Sequence, residues 1–243
     1  MNSKPTQPIW ISHRGLCQNA DENTLASFNA AAQAKFHYLE TDLRTTKDNH
    51  IVLCHDQTLS RISAMESTIE IDVTTKTRAE LTAVNLSKGS PLLFLDQFFA
   101  EFGHLGHVFD IKIETGLKVI ELLAGFDIDL KKTIFLCWSP EQQQALLERY
   151  PDANCFARES ECRRAGFSIL LKMPFLGGIQ TAKTYSVTPF FKGLPVLKQN
   201  LVARYHRYGA KVLAYLPETQ EEAQMALDAN VDYVLSNHDF KLI

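Results

Sequence analysis

Two histidines, three carboxylates and an arginine in the first 56 residues each stand where a short apolar run closes. Ile9–Ser12 leads into His13-Arg14-Gly15, Tyr38–Leu39 into Glu40-Thr41-Asp42, and Ile51–Cys54 into His55-Asp56. Histidine titrates near neutral pH and suits general acid–base work. Side chains at i and i+2 of a strand share a face, so Glu40 and Asp42 crowd two negative charges together. A proton or a cation must join such a pair, and their oxygens suit a hard divalent ion such as Mg²⁺ or Ca²⁺. The competing reading is that one of them caps the next helix or pairs with Arg44. Asp110 and Lys112, in VFDIKIE, repeat the i, i+2 spacing. An inward carboxylate beside an inward lysine suits a third metal ligand next to a phosphate-holding cation. The competing reading there is a buried salt bridge, costly without a ligand.

Parallel α/β folds collect such groups at the carboxyl ends of their strands, and apolar runs closed by polar turns read as buried parallel strands. Nine strands are expected, at residues 9–13, 38–42, 51–55, 107–113, 133–138, 154–157, 167–171, 211–216 and 233–236. Helices are expected at 24–34, 78–84, 95–102, 117–123, from Ser139 onward, 159–165 closed by Gly166, 197–208 closed by Gly209, and 218–229. Only eight residues separate Asp42 from Ile51, too few for a crossover helix, and Lys47-Asp48-Asn49 marks a turn between them. Residues 57–91 break the rhythm with a polar excursion holding one short helix and a small strand at 68–73. The alternation fits α/β architecture with a TIM (β/α)8 barrel. One domain over residues 1–243 is expected, with a small insertion after the third strand.

Composition narrows the function. The 243 residues are 45% hydrophobic and 22% charged, ordinary for a globular chain with a large core. A net charge of −3, with Arg163-Arg164 the nearest thing to a basic run, disfavours nucleic acid as a partner. No run reaches transmembrane length and the first ten residues lack a signal peptide's apolar core, so no stable membrane insertion is expected. Five cysteines without a CxxC pair point to reduced thiols, no thiol–zinc site and a cytoplasmic protein.

Taken together the motifs resemble the glycerophosphodiester phosphodiesterase family. The pattern is HRG at His13–Gly15, ENT at Glu22–Thr24, ExD at Glu40–Asp42, TxD at Thr46–Asp48, and HD at His55-Asp56 with Leu59 and Arg61 following. The excursion resembles that family's insertion, and Gly209–Val212 and the final VDYVLSN fit its last two strands. The resemblance implies a TIM barrel that hydrolyses glycerophosphodiesters to sn-glycerol 3-phosphate and an alcohol, with a divalent metal. It implies acid–base roles for His13 and His55 and metal binding by Glu40 and Asp42, and it puts Arg14 and Lys112 on the phosphate. The family's ExK reads Asp110-Ile111-Lys112 here, so the third ligand is one methylene shorter. Two family aromatic positions read Trp138 and Tyr215, which can still contact glycerol carbons. Other classes are a metal-dependent amidohydrolase, whose first strand would carry two histidines at i and i+2, and a barrel that binds phosphodiesters without turnover. A lysophospholipase D-like activity on a related phosphodiester is a further alternative. The expected partner is a small phosphodiester.

Overall fold

A computed structural model describes residues 7–63 and 70–240. The chain divides into two compact units, residues 12–154 and residues 155–243 together with the start of the chain.

Strand β1, Ile9–His13, contributes its last residues to the unit of residues 12–154. Helix α1, Leu25–Gln33, starts at Thr24. The Thr24 hydroxyl accepts from Ser27 N–H at 3.3 Å and the Ser27 hydroxyl accepts from Thr24 N–H at 3.2 Å, a reciprocal cap. Strand β2, Tyr38–Thr45, is buried from its second residue to its last. Strand β3, Ile51–Leu53, corrects the expectation of a parallel third strand: it runs antiparallel to β2, with Leu43 opposite Leu53 and Thr45 opposite Ile51. The reason is the short gap. Thr46 N–H donates to the His50 carbonyl at 2.9 Å, Asn49 turns with φ 61°, and the chain folds back as a hairpin.

The excursion after β3 builds its own small core. Leu59, Ile62, Val73, Leu81, Leu86 and Leu92 pack with Val52, Cys54 and Phe94. It carries α2, Arg78–Thr82, capped by Thr77, and leads into α3, Leu95–Phe102. The Asp21 carboxylate ties it back, accepting from Ser87 Oγ at 2.7 Å and from Lys88 N–H at 2.9 Å. Of the expected strand at 68–73, residues 68 and 69 lie outside the described residues; Asp72 forms an isolated bridge with Thr58, and Val73–Thr75 is a 3-10 turn. Strand β4, Gly106–Ile111, helix α4, Gly116–Leu122, strand β5, Thr133–Cys137, and helix α5, Pro140–Arg149, complete the unit. The strand order is β5-β4-β2-β1, with β3 on the side of β2, and β2, β4 and β5 are mutually parallel. Strand β6, Asn154–Cys155, crosses the division.

In the second unit helix α6, Glu159–Leu170, runs straight through Gly166 and includes residues expected as a strand at 167–171. Its buried residues Ala165, Ser168 and Ile169 fall at i, i+3 and i+4, a helical face, and this spacing overrides the short apolar run. The strand that the sequence hid is β7, Thr184–Val187. A small hairpin of β8, Phe190–Phe191, and β9, Leu194–Pro195, precedes α7, Gln199–His206. Then follow β10, Lys211–Tyr215, α8, Gln220–Ala229, and β11, Tyr233–Ser236. Within this unit the order is β1-β11-β10-β7, with β10 parallel to both its neighbours.

Candidate active site

Sheet register brings the carboxylates together. In the parallel β2–β4 pair, Asp42 lies directly beside Asp110, and Glu40 stands two residues earlier on the same face. Oxygens of Glu40, Asp42 and Asp110 all lie within 4.8 Å of one another, and all three side chains are buried. Neither Glu40 nor Asp42 is spent as a cap of the helix that follows, since Thr77 fills that role at α2. Arg44 is engaged elsewhere, with Glu114 at 2.8 Å and the His55 carbonyl at 2.8 Å.

Two cations answer the three acids. Lys112 Nζ sits 2.6 Å from Asp110 Oδ2 and 2.7 Å from Asp42 Oδ1. Arg14 Nε lies 3.0 Å from Asp42 Oδ2 without hydrogen-bond alignment, so the contact is an ion pair. Asn23 Nδ2 donates to Asp42 Oδ2 at 2.8 Å, and Trp138 Nε1 donates to Asp110 Oδ1 at 2.6 Å. Burial pushes the Glu40 carboxyl well above the usual carboxylate range, and Asp42 and Asp110 push it the same way. Burial also raises Asp110, against the pull of Lys112. Asp42 is held ionised: burial opposes its charge, but Lys112 and Arg14 hold it at about 2. Both basic groups are raised despite burial, Lys112 by Asp42 and Asp110, Arg14 by Asp42 and Glu40.

This donor set fits a divalent cation. The Asp42 Oδ1 atom is buried with Lys112 Nζ at 2.7 Å, and a carboxylate oxygen has a further lone pair that it can give to a cation. Hard carboxylate oxygens are the ligands that Mg²⁺ and Ca²⁺ take. A proton on Glu40 and a cation among the three acids are alternative answers to the same excess of negative charge.

The histidines occupy the rim. His13 ends β1 with Nε2 3.9 Å from Glu40 Oε2. The following turn is left-handed at both Arg14, φ 56°, and Gly15, φ 84°. Only glycine fits at 15, because a Cβ there would stand 2.6 Å from the Ser27 carbonyl carbon. The turn locks onto β2 as Arg14 N–H reaches the Glu40 carbonyl and Oε2, both at 3.1 Å. His55 Nδ1 lies 2.7 Å from Asp56 Oδ1. Asp56 is held below its ordinary range, with His55 and Arg61 outweighing burial. An ionised carboxylate only accepts, so Nδ1 carries the hydrogen and Nε2 is left for proton exchange.

An ionic chain links His55 to the carboxylates. Asp56 pairs with Arg61 at 2.6 Å, Arg61 with Glu22 at 2.6 Å, Glu22 with Arg14 at 3.3 Å, and Arg14 with Asp42. His13, Arg14, Glu40, Asp42, Asp110, Lys112 and Trp138 are thus joined directly, and His55 through this chain. Tyr215 closes β10 in the other unit with its ring exposed. Sequence reasoning assigned no site role to Glu22, Asn23 or Arg61. The first two entered only within the ENT motif, at a helix start where small polar residues cap free amides. Arg61 entered only as a motif letter, since a pairing across 39 positions leaves no local trace.

Comparison with known proteins points one way. The model of the family described as "Glycerophosphoryl diester phosphodiesterase family" matches residues 13–149. The chain is 23% identical to a glycerophosphodiester phosphodiesterase of Caldanaerobacter subterraneus subsp. tengcongensis, over 96% of this chain and 95% of that one. It is similar to the crystal structure of a glycerophosphodiester phosphodiesterase from Agrobacterium tumefaciens, with TM-score 0.75 and 19% identity over 98% of this chain and all of that one. It is also similar to a phosphodiesterase from Oleispira antarctica in complex with the product sn-glycerol-3-phosphate. That likeness has TM-score 0.72 and 21% identity, over 97% of this chain and 95% of that one. These likenesses show the fold class: α/β, a TIM barrel.

Proposed function

This chain belongs to the glycerophosphoryl diester phosphodiesterase family, and from that premise we propose that it hydrolyses glycerophosphodiesters to sn-glycerol 3-phosphate and an alcohol. It is an enzyme, a glycerophosphodiester phosphodiesterase. The observation that carries the finer reading is the convergence of three buried carboxylates and two cations beside a strand-end histidine.

A phosphodiester is an anion that resists attack. Arg14 and Lys112 bring positive charge to the site, and preorganised charge of this kind stabilises what develops on the phosphoryl oxygens in the transition state. Mg²⁺ or Ca²⁺ held by Glu40, Asp42 and Asp110 supplies further positive charge when bound. One bond forms between phosphorus and the attacking oxygen, of water or of the neighbouring glycerol hydroxyl, and one breaks to the leaving alcohol. Attack through the glycerol hydroxyl gives a cyclic phosphate that water then opens. One proton leaves the nucleophile and one must reach the departing alkoxide; His13 and His55 divide these tasks. Asp56 orients His55 through Nδ1, and the Arg44 bonds to its carbonyl fix its backbone. Trp138 offers an indole face to the glycerol carbons while its N–H positions Asp110. Tyr215 is our second aromatic for that role. We take residues 1–243 as one such domain, because the Caldanaerobacter relative aligns over almost the whole chain.

The test is release of sn-glycerol 3-phosphate from glycerophosphodiesters, with an amide substrate alongside, each with and without chelator. Chelator-sensitive turnover of the phosphodiester alone supports the reading. A folded protein that releases no product in saturating Mg²⁺ or Ca²⁺ overturns it.

A further inference from the structure

Residues 163–200 contain six basic side chains, Arg163, Arg164, Lys172, Lys183, Lys192 and Lys198, and no aspartate or glutamate, in a chain of net charge −3. Three of the six are engaged: Arg163 with Glu159, Lys183 with Glu161 at 2.7 Å, and Arg164 with the Gly177 carbonyl at 3.0 Å. Lys172, Lys192 and Lys198 have no ion-pair partner among the described residues.

The same region turns its apolar side chains outward. While α6 buries Ala165 and Ile169, Phe167 on its other side is exposed. Leu171 and Phe175 beyond it are 69% and 70% exposed, and Leu194 of the β8–β9 hairpin is 67% exposed. The ledge is continuous, because Phe167 packs edge-on against Phe191 of the hairpin at 5.7 Å between ring centroids. It is also well built. Met173 N–H bonds to the Ser168 carbonyl at 2.8 Å and Leu176 N–H to the Met173 carbonyl at 3.0 Å, so the turn after α6 is held in place. A solvated loop has no need of large apolar tips, and patches of this kind mark interaction sites.

We propose that this ledge docks the protein onto an anionic phospholipid surface. Exposed apolar tips in a segment that also carries three lysines without an ion-pair partner suit an interface where acyl chains lie beneath negative headgroups. Docking would be interfacial, because no helix among the described residues is long and apolar enough to cross a membrane. A second copy of the chain is the less favoured occupant: a two-fold contact through the ledge would bring two copies of the same basic segment together.

The experiment is flotation of the full chain with phosphatidylcholine vesicles, alone or containing roughly 30% phosphatidylglycerol, at low and high salt. Two multiple variants accompany it, Leu171→Ser with Phe175→Ser, and Lys172→Gln with Lys192→Gln and Lys198→Gln. Binding is expected only to the anionic vesicles and weakened by salt. The lysine variant should lose affinity about 100-fold, at roughly fivefold per lysine, and the apolar variant about tenfold or more. Thermal melts of both variants should match the parent, since every substituted side chain lies at the surface. Absence of binding by the parent at low salt overturns the proposal, as does binding that ignores both variants. Self-association that the Leu171→Ser, Phe175→Ser variant abolishes, without vesicle binding, assigns the ledge to a second copy and also overturns it. None of these readouts needs turnover, so the surface stands or falls apart from the catalytic reading.

Discussion

Lys112 stands between two acids that a cation would also join, which makes it a probe of the site's charge balance. In chelator, Lys112→Met leaves Asp42 and Asp110 without their shared partner, and removing one member of a buried pair costs about 3–5 kcal/mol. Saturating Mg²⁺ or Ca²⁺ should restore much of that loss in a thermal melt, because the ion takes over the neutralising role. Asp110→Ala should behave oppositely and lose most of its metal-induced rise in Tm. If the pair were only a buried salt bridge, both variants would melt low and neither would respond to metal. At the histidines, His13→Ala and His55→Ala should each lower turnover by roughly 10²–10⁴-fold with an unchanged melt. The double variant should lose less than the product if, as proposed, both serve one reaction cycle. Normal turnover in either single variant would remove that residue from the mechanism.

Asp21 sets the stability of an element without touching the chemistry. It holds the amides of Lys88 and Ser90 and the hydroxyl of Ser87. Asp21→Ala should release the 84–91 segment, seen as faster hydrogen exchange and earlier proteolysis there, while exchange in β4 and β5 stays slow. Elements differ in how much the sequence reveals of them. The ends of β1 and β2 were legible because polar pairs close apolar runs there. Strand β3 was legible as a strand but not in direction, since an apolar run is the same read either way; only the short 43–50 connection hinted at the hairpin. The strand β7 escaped because Thr184 and Ser186 dilute its apolar character, although Tyr185 is fully buried. Residues 167–171 misled because exposed Phe167, Leu170 and Leu171 imitate a core run. In the site, the carboxylates were legible from i, i+2 spacing. Asn23 and Arg61 were not, because their partners are brought near only by folding.

Across the whole molecule, pH acts through a group outside the ionic chain. His107 is enclosed by Phe98, Phe99 and Phe109, with Nε2 3.0 Å from the Phe102 carbonyl. Burial holds its pKa below the ordinary value of 6.5. The unfolded chain therefore takes a proton at a pH where the folded one does not. Stability from this residue is complete above about pH 6.5 and declines as pH drops through that value toward the folded pKa. Urea melts between pH 7.5 and 5.5 should show that decline, and His107→Leu should flatten it; an unchanged slope would mean that another group is responsible. A second loss follows at lower pH. Asp232 is held low by His206 and the Val212 amide in spite of burial, and its contribution disappears as it protonates.

The ionic chain described earlier alternates in sign throughout: Asp56, Arg61, Glu22, Arg14, Asp42, Lys112, Asp110. Deleting an interior member leaves two neighbours of like charge facing a gap, whereas deleting an adjacent opposite pair leaves the alternation intact. Drift in this lineage should therefore proceed in couples, with Glu22 and Arg61 changing together more readily than either alone. A double-mutant cycle on Glu22→Gln and Arg61→Gln reports this as a coupling energy of about 0.5–3 kcal/mol. Such coupling makes the array a heritable unit in which a single charge change is a detour and its partner's change is the return.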